Sequence, residues 1–380
     1  MTAGHIRRRG ARSWEIKFDI GADPATGKRR IRYHSFKGTK REAQLKLAQL
    51  VADNEAGNYV DVSKLTVSEF FDRWERDWAA TNVGPKTLER YREIVRNQIK
   101  PHIGNHPIQK LRPVNLTALY ATLMRGDNGL AARTVGHVHR VLHRALGHAA
   151  TWGVVVQNVA SLVSPPRVAS TEIEMLREDD IKAVLQKLRG RSMHPIAVVG
   201  LATGMRRGEL LALRWQDVDL DAGKIRVERS LEQTKAGLRF KSPKTKHGRR
   251  TITIDPATVA ELRAHRKGQA ERRLTLGLGK PLADALVFPT WDFQVRSPNA
   301  LTKEWSVAMA EAGLKVTLHS LRHTHASSLI AAGVDVLTIS RRLGHASPTI
   351  TLGVYGHLFA NTDDRAAQVM ADLFSKVSTD

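Results

Sequence analysis

The spacing of apolar residues changes twice along this chain of 380 residues, and that change is the strongest constraint on its fold. Near the N-terminus Trp14, Ile16, Phe18 and Ile20 alternate with Glu15, Lys17 and Asp19, the period of a half-buried strand. Asp23-Pro24-Ala25-Thr26-Gly27 has turn chemistry, and a second strand follows over Arg30 to Phe36. Thr39-Lys40-Arg41-Glu42 reads as a capping box opening a helix through Leu47, Leu50 and Val51. The period then becomes helical. Thr66-Val67-Ser68-Glu69 is another capping box, followed by Phe70, Phe71, Trp74 and Trp78 as core positions. A helix is expected from Thr87 to Lys100, stopped by Pro101, and another from Arg133 to Trp152. Ser164-Pro165-Pro166-Arg167 marks a linker, because paired prolines stop helices and stiffen the chain. Beyond it the pattern is mixed. Helical segments (Glu178 to Leu188, Pro195 to Ala202, Glu209 to Leu213) precede strands over Lys224 to Arg229, Arg239 to Lys241 and Arg250 to Ile254. Helical spacing returns from Pro256 to the end, with loops near 277–300. The expectation is an α+β multidomain chain: a small β-sheet/helix domain over 1–57, an all-helical domain over 62–166, and a mainly helical domain with a small antiparallel sheet over 172–380.

The formal charge of +23 and pI near 10.6 point to a polyanionic partner, nucleic acid above all. The excess is densest over residues 1–46, with thirteen Lys/Arg against four Asp/Glu. No basic amphipathic anchor, no apolar h-region at the start and no apolar run of roughly 20 residues is visible, so neither membrane nor secretion is expected. The absence of cysteine excludes disulfides, thiolate zinc sites and cysteine nucleophiles, and fits a reducing, DNA-containing compartment such as the bacterial cytoplasm and nucleoid. Candidate DNA contacts are Arg7, Arg8, Arg9, Arg30 and Arg32 on an open sheet face, and Arg133, His137, Arg140 and Arg144 on the third helix of the middle block.

Tyr355 is the only tyrosine in the last 260 residues. It follows His345 by ten positions and lies in the same block as His319, Arg322 and His323. Cleaving a phosphodiester needs an in-line nucleophile, fixed donors for the transition-state charge, and a proton for the leaving alkoxide. Guanidinium forks meet the charge without metal, since they grip two oxygens and stay charged at neutral pH. Arg206 lies between Gly204 and Gly208, where a turn can bring it close to a phosphate. Lys244 lies in a Pro-Lys-Thr turn, with Lys246 as a rival, and His319 and Arg322 fall on one helix face. The lesser alternative is that Arg206 pairs with Glu209 at i,i+3 and does nothing else. His319 with His323 could be half a metal site, although no acidic residue follows His319 as in HExxH. His323 orients its neighbours or simply packs. Gly21 to Lys28 is a hairpin turn, not a P-loop, and no GxSxG elbow occurs.

The set TGMRRGE, PKT, HSLRH, LGH and TLGVYGHL, in this order, closely resembles the tyrosine recombinase (phage integrase) family over the last 210 residues. The resemblance implies that Tyr355 attacks the scissile phosphate and forms a 3′-phosphotyrosyl ester. Arg206 and Arg322 would clamp the non-bridging oxygens, Lys244 protonate the leaving 5′ oxygen, His319 assist proton transfer, His345 hydrogen-bond the phosphate and Glu209 orient side chains. Neighbouring cations are expected to favour the phenolate. The middle block resembles the family's core-binding (SAM-like) domain, and the N-terminal block its arm-type DNA-binding domain, a three-stranded sheet plus helix. No metal or other cofactor is implied. The implied partners are double-stranded DNA at attachment sites, three further copies in a homotetramer, an excision factor and a host DNA-bending protein. The implied activity is integration and excision of a phage or other mobile element. A chromosome-dimer resolvase and a type IB topoisomerase-like enzyme are the alternatives.

Overall fold

The computed structural model describes residues 4–22, 26–56, 59–169, 175–243, 246–359 and 363–377. The chain forms two compact units, Met1–Ala169 and Ser170–Asp380.

In the first unit β1 (His5–Gly10), β2 (Ser13–Ala22) and β3 (Arg29–Lys37) form an antiparallel sheet in that order. Helix α1 (Lys40–Glu55) packs on one face of it. The alternation in β2 puts Ile16 and Phe18 in the core with Leu50. Thr39 caps α1 as expected: its Oγ1 accepts from the Glu42 N–H at 3.3 Å, and Glu42 Oε2 accepts from the Thr39 N–H at 2.7 Å. The turn expected at Asp23–Gly27 lies mostly outside the described residues.

The register corrects one expectation. Ile16 stands opposite His34 and Phe18 opposite Arg32, and directly opposed side chains share a face. Arg32 therefore lies on the helix-covered side, with Arg30 two residues away on the same side, and neither is on the open face. Arg32 instead grips both carboxylate oxygens of Asp61 at 2.6 Å. The misassignment arose because β3 alternates arginines with Ile31 and Tyr33, and here the apolar-looking set faces outward. The open face carries Arg7 opposite Glu15 and Lys17 opposite Tyr33, with Tyr33 63% exposed and Lys17 Nζ 5.9 Å from its ring centre.

The rest of the unit is helical. Thr66 and Glu69 cap α2 (Val67–Trp74), which runs through a π-helical turn (Glu75–Ala79) into α3 (Ala80–Asn82). Helix α4 (Pro85–Ile94) likewise passes through a π-helical turn (Val95–Ile99) into α5 (Lys100–Ile103). Pro101 thus does not stop the helix: it falls in the first turn of α5, where its missing N–H is not needed. Helices α6 (Pro113–Met124) and α7 (Ala132–Thr151) complete a core holding Phe70, Phe71, Trp74 and the apolar face of α7.

The second unit begins with α8 (Glu178–Leu188), α9 (His194–Thr203) and α10 (Arg207–Leu210). Five strands follow among the described residues: β4 (Val218–Asp219), β5 (Lys224–Val227), β6 (Ser230–Thr234), β7 (Gly237–Lys241) and β8 (Arg250–Thr253). One small sheet is predicted, but two antiparallel sheets form, β4-β5-β8 and the hairpin β6-β7. The polar strand β6 buries only Leu231, so its alternation is too weak to read. Helices α11 (Pro256–Thr275), α12 (Pro298–Glu311), α13 (Leu318–Ala331), α14 (Val336–Leu343), α15 (Pro348–Tyr355) and α16 (Asp363–Val377) follow. Helix α9 packs against α11 and α13. Tyr355 is buried in a small apolar cluster with Ala326 and Ile330 of α13 and Ile339 and Leu343 of α14.

Candidate active site

The C-terminal end of α9 organises the site. A helix C-terminus leaves carbonyls unpaired and carries partial negative charge. Here cationic and N–H-bearing side chains meet them. His325 Nδ1–H donates to Leu201 O at 2.7 Å, Arg342 Nη2 to Ala202 O at 2.8 Å, and Arg322 Nη1 to Gly204 O at 2.6 Å. Gly204 adopts φ +63°, and a Cβ there would lie 2.7 Å from the His325 ring, so glycine is required both to turn the chain and to admit the neighbour. That turn delivers Arg206 as the residue capping α10.

Arg322 is 3% exposed, and its fork is held at three points. Besides Gly204 O, Nη2 donates to Leu343 O at 2.9 Å and to His345 Nε2 at 2.8 Å. Three of its five N–H donors are used, which leaves two for a ligand. Burial, and after it the Arg206 charge, lower its pKa to about 9, so it stays a cation at neutral pH. Because Arg322 can only donate, His345 must carry its proton on Nδ1, which donates to Thr351 Oγ1 at 2.8 Å. Burial and the Arg322 charge lower the His345 pKa to about 4, so the ring is neutral and has no N–H left for a phosphate. As placed, His345 orients Arg322.

Glu209 is the buried counter-charge. Its Oε1 accepts from Arg206 Nη1 at 2.8 Å and its Oε2 from Arg250 Nη2 at 2.9 Å. Burial pushes its pKa up, but the Arg250 and Arg206 charges outweigh burial and hold it below the ordinary value. Arg206 also donates to Gly344 O at 3.2 Å, yet its side chain remains 43% exposed with donors to spare. Arg250, a residue that the sequence does not single out, is fixed by Arg342 O at 2.6 Å and by Gly248 O at 3.2 Å. Three guanidinium groups around one carboxylate leave this wall positive.

Arg206, His319, Arg322, His345 and Tyr355 all line one cavity of about 500 Å³, together with Glu209 and His323. His319 packs edge-on against His323 with ring centres 4.5 Å apart. Tyr355 is 2% exposed, and its hydroxyl is 2.7 Å from His323 Nδ1. The expected depression of its pKa does not hold: burial raises it, and the opposing pull of Arg322 is smaller. Lys244 lies outside the described residues, and so does the side chain of its rival Lys246. Pro243 lines the cavity, and so does Lys241, which is paired with Glu232. Among the described residues no group of three or more histidine or acidic side chains could hold a metal ion.

The remaining candidates are surface cations. Arg7, Arg8 and Arg9 are exposed on β1, but Arg8 stands opposite Trp14 and so lies on the helix-covered side, not on the open face as expected; Arg9 pairs with Glu15 at 2.7 Å and Arg8 Nε donates to Gly10 O at 3.2 Å. Arg133, His137, Arg140 and Arg144 share the exposed face of α7. Arg140 Nη2 donates to His137 Nδ1 at 2.8 Å, and Arg144 Nη1 to Tyr91 Oη at 3.1 Å. With Arg90, the last three line a cavity of about 740 Å³. No helix among the described residues is long and apolar enough to cross a membrane.

One cavity thus gathers a buried tyrosine and two arginines, the groups that metal-free phosphodiester cleavage requires. Residues 174–362 match the Phage integrase family, and residues 66–124 match its N-terminal SAM-like domain. The chain belongs to the phage integrase family of tyrosine recombinases, enzymes that cut and rejoin DNA strands. It is 26% identical to a tyrosine recombinase XerC-like protein of Caldanaerobacter subterraneus, over 97% of this chain and 98% of that one. It is also 26% identical to the ICEBs1 integrase of Bacillus subtilis, over 95% and 97%. The Tn1549 transposon integrase in complex with transposon right end DNA superposes with a TM-score of 0.67 at 19% identity, covering 81% of this chain and 99% of that one. A lambda integrase dimer bound to a core site gives 0.57 at 17% identity, covering 94% and 95%.

Proposed function

We propose that this chain binds double-stranded DNA at attachment sites and integrates and excises a mobile element through a 3′-phosphotyrosyl intermediate. Tyr355 Oη attacks phosphorus, Arg206 and Arg322 hold the non-bridging oxygens, and Lys244 protonates the departing 5′ oxygen. His319 assists proton movement, His345 fixes the Arg322 fork, and Glu209 fixes Arg206. The observation that carries this assignment is one cavity lined by the lone tyrosine of this unit and by two arginines with unused donors. Storing the bond as an aryl phosphate keeps each step reversible without ATP.

Residues 1–57, 62–166 and 172–380 act as arm-binding, core-binding and catalytic domains. Four copies work together on two sites, in the bacterial nucleoid, aided by an excision factor and a host DNA-bending protein. Support for the assembly comes from a lambda integrase tetramer bound to a Holliday junction, with a TM-score of 0.56. Further support is the exposed apolar face of α16, where Val369, Met370, Leu373 and Phe374 are each 46–61% exposed. Chromosome-dimer resolution is the second possibility, favoured by the name of the XerC-like relative. The basic sheet at the N-terminus favours the mobile element.

A nicked substrate that loses its short 5′-hydroxyl strand on cleavage traps the covalent complex. The parent protein is expected to form it, and Tyr355→Phe to bind the same DNA without forming it. Equal adduct from both proteins would refute the assignment.

A further inference from the structure

Resting on the role of Tyr355 above, we propose that His323 is a further catalytic residue, whose Nδ1 accepts the phenol proton as Oη attacks phosphorus. The two atoms are 2.7 Å apart, and among the described residues the Tyr355 hydroxyl has no other hydrogen-bond partner. Tyr355 is 2% exposed, so water has little access to remove its proton. A phenol with an ordinary pKa near 10 does not ionise unaided at neutral pH, and burial raises this one further. A nucleophile in that position needs an adjacent base.

The fold fixes the pair. His323 and Arg322 are consecutive on α13, so the helix that buries the Arg322 fork also aims His323 at α15. Tyr355 cannot swing away easily, because it packs against Ala326 and Ile330 one and two turns further along the same helix. The His323 and Tyr355 ring centres are 5.6 Å apart at 62°, which leaves the imidazole lone pair in reach of the hydroxyl. The charged and titratable groups facing His323 are His319 and Arg322 on its own helix and Tyr355 on α15. Burial first, then His319 and Arg322, lower the His323 pKa to about 4, so the free ring is neutral and can accept. A bound phosphodiester anion offsets the arginine charge and makes acceptance easier.

The step balances. The Oη–P bond forms and the P–O5′ bond breaks. The Oη proton goes to His323 Nδ1, and the 5′ oxygen takes a separate proton from the leaving-group acid, the role given to Lys244. Religation returns both protons.

Single-turnover adduct formation on a nicked substrate tests this, with either a normal phosphodiester or a 5′-bridging phosphorothiolate, whose sulfur departs without a proton. His323→Ala and His323→Asn are expected to slow adduct formation by on the order of 10²–10⁴ on both substrates, with DNA binding unchanged. Their rates should climb as pH rises from about 7 to about 8.5, where Arg322 is still charged, as hydroxide replaces the lost base. Lys244→Ala should be slow on the phosphodiester and recover on the phosphorothiolate. Parent-like rates in His323→Ala would overturn the proposal. So would full rescue by Asn, which can hold the hydroxyl but cannot take its proton. If His323→Ala does not fold, the Asn variant and its pH profile decide alone. Adduct formation by Tyr355→Phe would instead indict the assignment of the nucleophile.

Discussion

Histidines carry much of the pH sensitivity of this site. His323, His325 and His345 each have a pKa lowered to about 4, with burial the leading cause. Unfolded, they return to about 6.5 and bind protons that the folded protein refuses. Their contribution to stability is therefore full above about pH 6.5 and is lost as pH falls toward 4. Glu209, with a lowered carboxylate pKa, adds a further loss below its ordinary value of 4.5. The urea midpoint is expected to drop between pH 7.5 and pH 5; an unchanged or rising midpoint would contradict these placements. That Arg206, His319, Arg322, His345 and Tyr355 belong together was legible in the sequence because each lies in a short motif of unusual composition, and the five line one cavity. Arg250 and Thr351 were not. Arg250 follows another arginine at the start of a strand, and nothing local distinguishes the one that meets Glu209 across 41 positions. The contact between His323 and Tyr355 spans 32 positions and exists only once α13 and α15 pack.

The element that most limits substitution is the C-terminal turn of α14. Gly344 adopts φ +67°, and a Cβ there would lie 2.8 Å from Arg250 Nη1. Its carbonyl also receives Arg206, while the Leu343 carbonyl receives Arg322. Gly344→Ala should cost about 1–3 kcal/mol from backbone strain and crowding together. Urea unfolding at neutral pH measures this, and a cost near zero would mean that the turn relaxes freely. Both threonine capping boxes were legible because a cap is a four-residue signal. The continuation through Pro101 was not, since it depends on a π-helical turn that no single residue announces. The faces of β3 were misread for a related reason: alternation fixes which residues share a face, but only the partner strand fixes which face is covered.

Across the whole molecule, the charge of +23 sets how binding responds to salt. Each phosphate contact contributes about 0.9 to the slope of log K against log salt concentration. Arg7→Ala, on the open face of the N-terminal sheet, should reduce that slope by about 0.9 on arm-site DNA. Arg32→Ala, whose fork is held by Asp61, should leave the slope unchanged. The reverse result would place DNA on the other side of the sheet. The changes of period along the sequence foretold the kinds of element in each stretch. The pairing of β4-β5-β8 apart from β6-β7 was out of reach, because strand order is set by packing between segments distant in sequence.

Mass spectrometry of the complex stalled on a nicked attachment site, formed in excess EDTA, bears most directly on the central claim. The account predicts a nucleotide 3′-phosphate esterified to Tyr355, in yield unaffected by the chelator. An adduct on any other residue, or cleavage that disappears with EDTA, would contradict it.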